Sequence, residues 1–230
     1  ERVHPGASPH TPLAKAPDAD LGWEPIDHRR YLSREFMQLE WDRIWTRVWL
    51  LRGRELDIPE PGDYIVTEIG RESILIVRQK DRRIRAFYNV CQHRGNRLRP
   101  ACGLGSTGES HSFRCAYHAW EYELDGPYRR IPDIDTFPQG KPPGGLPEVR
   151  CDTWGSFVWF TLDPDAPPLA EFLDPIPRHL DPYNFHKMVQ TRDITIEWDC
   201  NWKTSVDAFN ESYHVQGIHP QLMWYLNDLD

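Results

Sequence analysis

An α+β fold is what this 230-residue sequence predicts, with an all-β unit over residues 46–163 and a mixed segment over 164–230. Three observations predict it. Short runs rich in β-branched and aromatic residues recur between polar turns: DYIVTEI, ESILIVRQ, IRAFYNV, SFRCAYHAWEYEL and SFVWFTL. Apolar residues at helical spacing flank that unit on both sides. A cysteine and a histidine stand together twice inside it, as Cys91 with His93 and Cys115 with His118.

Residues 1–22, rich in Pro, Ala and His, read as a poorly ordered tail, and 23–45 as a helical segment. In HRRYLSREFMQLEWDRIWTRVWL (28–50), Met37, Trp41, Ile44, Trp45 and Val48 recur at helical spacing. Asp27 is placed to cap a packing helix there. DIPEPGDY (57–64) is a loop, and from it onward the period is that of strands. The Pro- and Gly-rich stretch 127–150 is expected to be a long surface connection. PDAPPLAEFLDPIPRHLDPYNF reads as a link with one short helix, ITIEWDCNWK as a strand, and TSVDAFNESYHVQGIH as helical. No repeat or low-complexity tract interrupts this order.

Composition narrows the class. A hydrophobic fraction of 39% with 10 Trp, 9 Tyr and 9 Phe can supply a core. The net charge of −8, with bases and acids interspersed as in RGRELD and RQKDRRIR, opposes a nucleic-acid partner. No apolar run approaches the roughly 20 residues that span a bilayer. The opening ERVHPGASPHTPLAKAPDAD has neither the apolar core nor the cleavage site of a signal peptide. A cytoplasmic chain is therefore expected. The five cysteines are an odd number, so a disulfide framework is not expected and metal binding or catalysis is.

The first constellation is C-x-H, a gap of 21 residues, then C-x-x-H. Two thiolates and two imidazoles can bind zinc tetrahedrally. They can equally hold a two-iron, two-sulfide cluster, with two Cys on one iron and two His on the other. Zinc fingers pair Cys with Cys and His with His, whereas each pair here is mixed. The flanking residues CQHRGNRLR and CAYHAWEYELDG resemble the ligand loops of the Rieske family. That resemblance implies an all-β [2Fe–2S] domain in which Cys91 and Cys115 bind the inner iron and His93 and His118 the outer one. Trp120 then packs over the cluster, or is a plain core aromatic. The insert ACGLGSTGESH lengthens the gap; its Cys102 and His111 fall outside the pattern and read as surface-loop residues.

In NWKTSVDAFNESYHVQGIHP, Asp207, Glu211 and His214 are spaced i, i+4, i+7, which places them on one helical face. His219 lies five residues on, so the helix should end or bulge near Gly217. Pro220 supports an ending and turns His219 back toward His214. Two histidines and a carboxylate form the facial triad of non-haem Fe(II) oxygenases. The motif N-W-K followed by F-N-E-x-Y-H-x-x-x-x-H resembles the catalytic domain of Rieske non-haem iron aromatic-ring-hydroxylating oxygenases, large (alpha) subunit.

This resemblance implies a helix-grip-like α+β catalytic domain, made from 23–45 and 164–230 and apparently truncated. It implies that His214 and His219 bind mononuclear Fe(II), and that Glu211 bridges that site to a Rieske histidine of a neighbouring subunit. Asp207 joins Glu211 as a catalytic residue, and Asp207 and Tyr213 orient the ligands. The third iron ligand is expected beyond residue 230; Asp228 and Asp230 lie outside the family pattern. The implied cofactors are a [2Fe–2S] cluster and Fe(II). The implied partners are a reductase, with or without a ferredoxin, O2, and a small organic substrate. The implied assembly is a homotrimer or α3β3. Aromatic hydroxylation is the leading activity. The N-E-S-Y-H wording also resembles members that act on quaternary amines, and a pure Rieske electron carrier or a zinc-stabilised module are rival classes.

Overall fold

The computed structural model describes residues 22–100 and 105–222, which group into two compact units. Cys102, Asp228, Asp230 and nearly all of the predicted tail lie outside the described residues.

Residues Trp41–Met188 form the larger unit. Its strands are β1 (Leu50–Arg54), β2 (Asp63–Ile69), β3 (Glu72–Arg78), β4 (Ile84–Tyr88), β5 (Gly105–Glu109), β6 (Phe113–Arg114), β7 (Glu121–Tyr122), β8 (Tyr128–Arg130), β9 (Glu148–Trp154) and β10 (Phe157–Thr161). Seven of them make an antiparallel sheet in the order β1-β10-β9-β4-β3-β2-β5, and β6-β7-β8 make a second, smaller one. β2 and β3 form a hairpin with Ile65 opposite Ile76 and Val66 opposite Leu75. Successive side chains of a strand point to opposite faces. Ile74 and Ile76 therefore join Ile65, Ala86, Val158 and Phe160 in one core, while Leu75 and Val77 join Val66, Phe87, Phe113 and Tyr122 in another. ESILIVR reads as an unbroken apolar run because both faces of β3 are covered. Each such side chain, fully buried, contributes about 1.5–3 kcal/mol.

The second of these cores also takes in Cys91, Cys115 and Trp120. Both Cys–His pairs fall in turns that project from the sheets, not inside strands as their β-rich surroundings suggested. The insert is only partly a loop: Gly105–Glu109 pair along β2, with Thr107 opposite Ile65. The stretch 127–150 likewise contains β8 and the start of β9. The link after β10 carries two helices, α3 (Leu169–Leu173) and α4 (Ile176–Leu180), where one was expected. Pro175 separates them by disfavouring helix at Asp174. Leu169 and Leu173 pack on Trp49, with Trp154 and Trp159 alongside.

The smaller unit comprises 22–40 and 189–222 among the described residues. The expected helix over 28–50 is broken. It consists of α1 (Arg29–Leu32) and α2 (Arg34–Glu40), then a wide π turn over Trp41–Trp45. Ser33 is extended, and its Oγ accepts the Phe36 N–H at 3.2 Å, so it ends one helix and caps the next. The N-cap position of α1 is His28, not Asp27; Asp27 precedes it and accepts the Arg29 N–H at 2.9 Å. Met37 is 67% exposed, so this is not the packing helix its periodicity suggested. The expected strand ITIEWD belongs to no ladder among the described residues, and Ile194, Ile196 and Trp198 are exposed. Helices α5 (Trp202–Phe209) and α6 (Val215–Ile218) follow.

Candidate metal centres

The two Cys–His turns share one backbone pattern. Cys91 N–H donates to Asn96 O at 2.8 Å, and Gly95 N–H donates to Cys91 O at 2.9 Å. Cys115 N–H donates to Trp120 O at 2.8 Å, and Ala119 N–H to Cys115 O at 3.1 Å. The residue four after each cysteine is left-handed: Gly95 at φ 72° and Ala119 at φ 57°. Glycine suits that conformation without steric cost, which accounts for the G of HRG. Alanine tolerates it at about 1–2 kcal/mol.

Each turn buries its sulfur and exposes its imidazole. Cys91 and Cys115 are 1% and 3% exposed and lie within hydrogen-bonding reach of each other. His93 and His118 are exposed, with ring centroids 4.7 Å apart. The thiols are therefore one pair and the imidazoles another. Among the described residues no three His, Cys, Asp or Glu gather for a single metal ion.

Donors surround the sulfurs. Tyr122 Oη lies 3.2 Å from Cys91 Sγ and also accepts the Gln92 N–H at 2.8 Å. An amide can only donate, so the phenol proton is free to point at the sulfur. Asn96 Nδ2 lies 3.7 Å from Cys115 Sγ. Burial pushes the Cys91 thiol up. At Cys115 burial also pushes up, but the backbone N–H groups of Tyr117 and His118, with Cys91 and Asn96, together bring the thiol down. Burial, then the neighbouring His118 and Arg94, lower His93, favouring the neutral ring that binds metal. Burial and the nearby Cys91 sulfur raise the Tyr122 phenol, so it stays a donor. This donor set fits a [2Fe–2S] cluster with sulfur ligands inward and imidazoles outward.

Sequence reasoning missed Tyr122, Asn96 and Tyr117. Tyr122 follows Trp120 by two residues in the same motif, but its partner Cys91 is 31 residues away in the chain. Tyr117 packs on His118 at 3.8 Å, and Arg94 sits 5.5 Å from the centre of the Tyr117 ring. His111, set aside on sequence, is exposed beside β6.

The second constellation is assembled differently from its sequence expectation. Asn201 caps α5, its Oδ1 accepting the Lys203 N–H at 3.1 Å. The helix ends at Asn210, whose N–H donates to Asp207 O at 3.1 Å. Asp207, Glu211 and His214 thus do not share one continuous helical face. Asn210 and Ser212 compete for backbone bonds and favour a turn over helix. Asp207 stays on α5, Glu211 lies in the turn, and His214 precedes α6. Glu211 still meets His214 twice: it accepts the backbone N–H at 3.1 Å and closely contacts Nδ1. That contact holds the Glu211 carboxyl below its usual range. With Nδ1 engaged, Nε2 is the ring nitrogen of His214 left to meet a metal.

α6 ends at His219, with φ −126° and ψ 52°, as Gly217 and Pro220 led one to expect. The two imidazoles come together at 5.5 Å between centroids. Tyr213 is exposed, and Asp207 accepts a hydrogen bond from Tyr31 Oη at 2.6 Å.

A Rieske iron–sulfur protein is the class this fold and these turns define. Residues 48–147 match the Rieske [2Fe–2S] domain, and 185–228 match the catalytic domain of ring-hydroxylating alpha subunits. Both matches are to domains of Rieske ring-hydroxylating oxygenase large subunits, and the chain is similar to those subunits in both segments.

It is 32% identical over 228 residues to the glycine betaine monooxygenase oxygenase subunit of Chromohalobacter salexigens, covering 95% of this chain and 50% of that one. It is 33% identical over 201 residues to the biphenyl 2,3-dioxygenase alpha subunit of Rhodococcus jostii, covering 83% and 42%. Among solved structures, a quaternary ammonium Rieske monooxygenase bound to L-carnitine superposes with a TM-score of 0.79 at 26% identity, covering 86% of this chain and 56% of that one. Naphthalene 1,2-dioxygenase superposes with a TM-score of 0.72 at 31% identity, covering 81% and 43%. The chain spans about half the length of the curated relatives it matches. The cofactors of the family are a [2Fe–2S] cluster and mononuclear Fe(II).

Proposed function

We propose that this chain carries the electron-entry half, and the first ligands of the iron site, of a terminal oxygenase that hydroxylates a small organic substrate. The observation that carries the reading is the matched pair of turns, sulfurs buried and imidazoles exposed. In it 46–163 is the Rieske domain, and 23–45 with 164–230 belong to the catalytic domain. Cys91 and Cys115 hold the inner iron, and His93 and His118 the outer one. His214 and His219 bind Fe(II), and Glu211 links that site to a Rieske histidine of a neighbouring subunit.

When bound, the cluster supplies one-electron transfer and the Fe(II) supplies O2 activation. The residues have distinct tasks. Tyr122 and Asn96 donate toward the thiolates, which favours the more negative, reduced charge state. Trp120 covers one face of His93 and keeps water from that side. Glu211 fixes the tautomer of His214 through Nδ1 and, as an anion, can accept a hydrogen bond from an imidazole of a second subunit. Electrons would come from a reductase, directly or through a ferredoxin, in a trimeric cytoplasmic assembly.

An aromatic ring is the leading substrate. Glu at position 211, together with the glycine betaine and carnitine enzymes among the relatives, favours a second reading: oxygenation of a quaternary amine. The test is to supply the full-length protein with reductase, NADH and 18O2 against both substrate classes. Label in an aromatic diol or phenol supports the first, and label in a hydroxylated amine, or in the formaldehyde released as the amine loses a methyl group, supports the second. A cluster that reduces and reoxidises, with no label in either class, favours a pure electron carrier. Cys91→Ser or His118→Ala should abolish the cluster's visible spectrum, and colourless protein containing zinc would refute the reading.

A further inference from the structure

The N-terminal segment has no role in the reading above, yet it meets α5 at three points. Asn201 Nδ2 donates to Tyr31 O at 3.1 Å. Lys203 Nζ lies 2.6 Å from Glu40 Oε1, and both side chains are almost fully buried. Tyr31 Oη donates to Asp207 Oδ2 at 2.6 Å. The Lys203 ammonium is also enclosed by rings, 5.6 Å from Tyr31, 5.3 Å from Phe36 and 5.4 Å from Trp202. Lys203 and Asp207 are i, i+4 and so lie on one side of the helix. Tyr31 touches both, with its ring on the lysine and its hydroxyl on the carboxylate.

Asp207 is thereby fixed at two atoms. Tyr31 holds its carboxylate, and its backbone oxygen accepts the Asn210 N–H that ends α5. The next residue is Glu211, and His214 is three further on. The buried Lys203–Glu40 pair keeps Tyr31 in register, since breaking a buried pair leaves an uncompensated charge.

We propose that Tyr31 is a positioning residue for the mononuclear iron site, acting through Asp207 to set the turn that presents Glu211 and His214. The proposal rests on the iron-site reading above. It assigns a site role to a residue more than 170 positions upstream of the ligands.

The test is Tyr31→Phe, Asp207→Ala and the double variant, in the full-length oxygenase loaded with iron. Phenylalanine keeps the ring over Lys203 and removes only the hydroxyl. Two quantities are read: the rate at which a chelator strips the mononuclear iron, and the EPR spectrum of its nitric oxide adduct. An unchanged Rieske spectrum and Tm report an intact fold. We expect each single variant to lose iron about 10-fold faster with altered rhombicity, and the double variant to be no worse than either. Wild-type release and spectrum in Tyr31→Phe, beside a changed Asp207→Ala, would overturn the proposal, as would two effects that multiply in the double variant. His214→Ala is the control for the underlying reading: if it keeps the nitrosyl signal, the iron-site assignment itself fails.

Discussion

The imidazole of His93 lies flat against the indole of Trp120, with ring centroids 4.7 Å apart and planes 6° from parallel. Trp120 is 6% exposed and meets Tyr128 edge-on at 5.5 Å, so the exposed histidine is backed by a buried wall. Offset and edge-on ring pairs of this kind add to the area they bury. Trp120→Ala should cost about 3–5 kcal/mol of stability. Denaturant titration followed by cluster absorption will show it as earlier bleaching, and an unchanged midpoint would remove Trp120 from the support of the cluster.

Tyr122→Phe tests the sulfur environment. The Gln92 N–H loses its acceptor and Cys91 its phenol donor. With fewer hydrogen bonds to the ligand sulfur, the reduced cluster is less favoured. The reduction potential should fall by on the order of 60 mV, the one-electron equivalent of about 1.4 kcal/mol. Protein-film voltammetry measures it, and a potential that stays or rises would show that the phenol proton does not face sulfur.

Lys203→Met leaves Glu40 buried without its cation. A broken buried pair costs about 3–5 kcal/mol, whereas replacing both partners by apolar groups is often neutral. The urea midpoint should fall for Lys203→Met and recover largely in Lys203→Met with Glu40→Leu. Equal losses in the single and double variants would contradict this.

Asp27 gives a pH prediction with a definite sign. Its bond to the Arg29 side chain, then to the Arg29 N–H, lowers its carboxyl from 3.8 to about 2. A carboxyl lowered on folding stabilises α1 fully above its unfolded value, and that contribution is lost as pH falls through the folded one. The Asp27 carbon resonance should therefore titrate near pH 2, with the Arg29 amide losing protection over the same range. A midpoint near 4 would mean that the Asp27–Arg29 bonds do not form.

Strands β2, β3, β4 and β10 of the large sheet, both Cys–His pairs and the end of α6 at His219 were legible in the sequence by itself. Each depends on residues close in the chain: the β-branched apolar run of ESILIVR, a Cys with a His two or three positions on, a glycine and a proline beside His219. Periodicity failed where a local competitor acted. Ser33 split the first helix, and Asn210 with Ser212 ended α5 before Glu211. It failed too where a partner was needed. Gly105–Glu109 became a strand because β2 offered an edge, while ITIEWD, despite its apolar–polar alternation, found none among the described residues.

The sequence alone determined which side chains are candidates to bind metal, because ligand type and near spacing are written in neighbouring residues. Only the tertiary structure decided what surrounds them. Tyr122 against Cys91, Tyr31 against Asp207 and Glu40 against Lys203 are contacts across 31, 176 and 163 positions of chain. No local propensity encodes such a contact; it exists because folding within each unit brings distant segments together, and polar groups that lose water there must find partners.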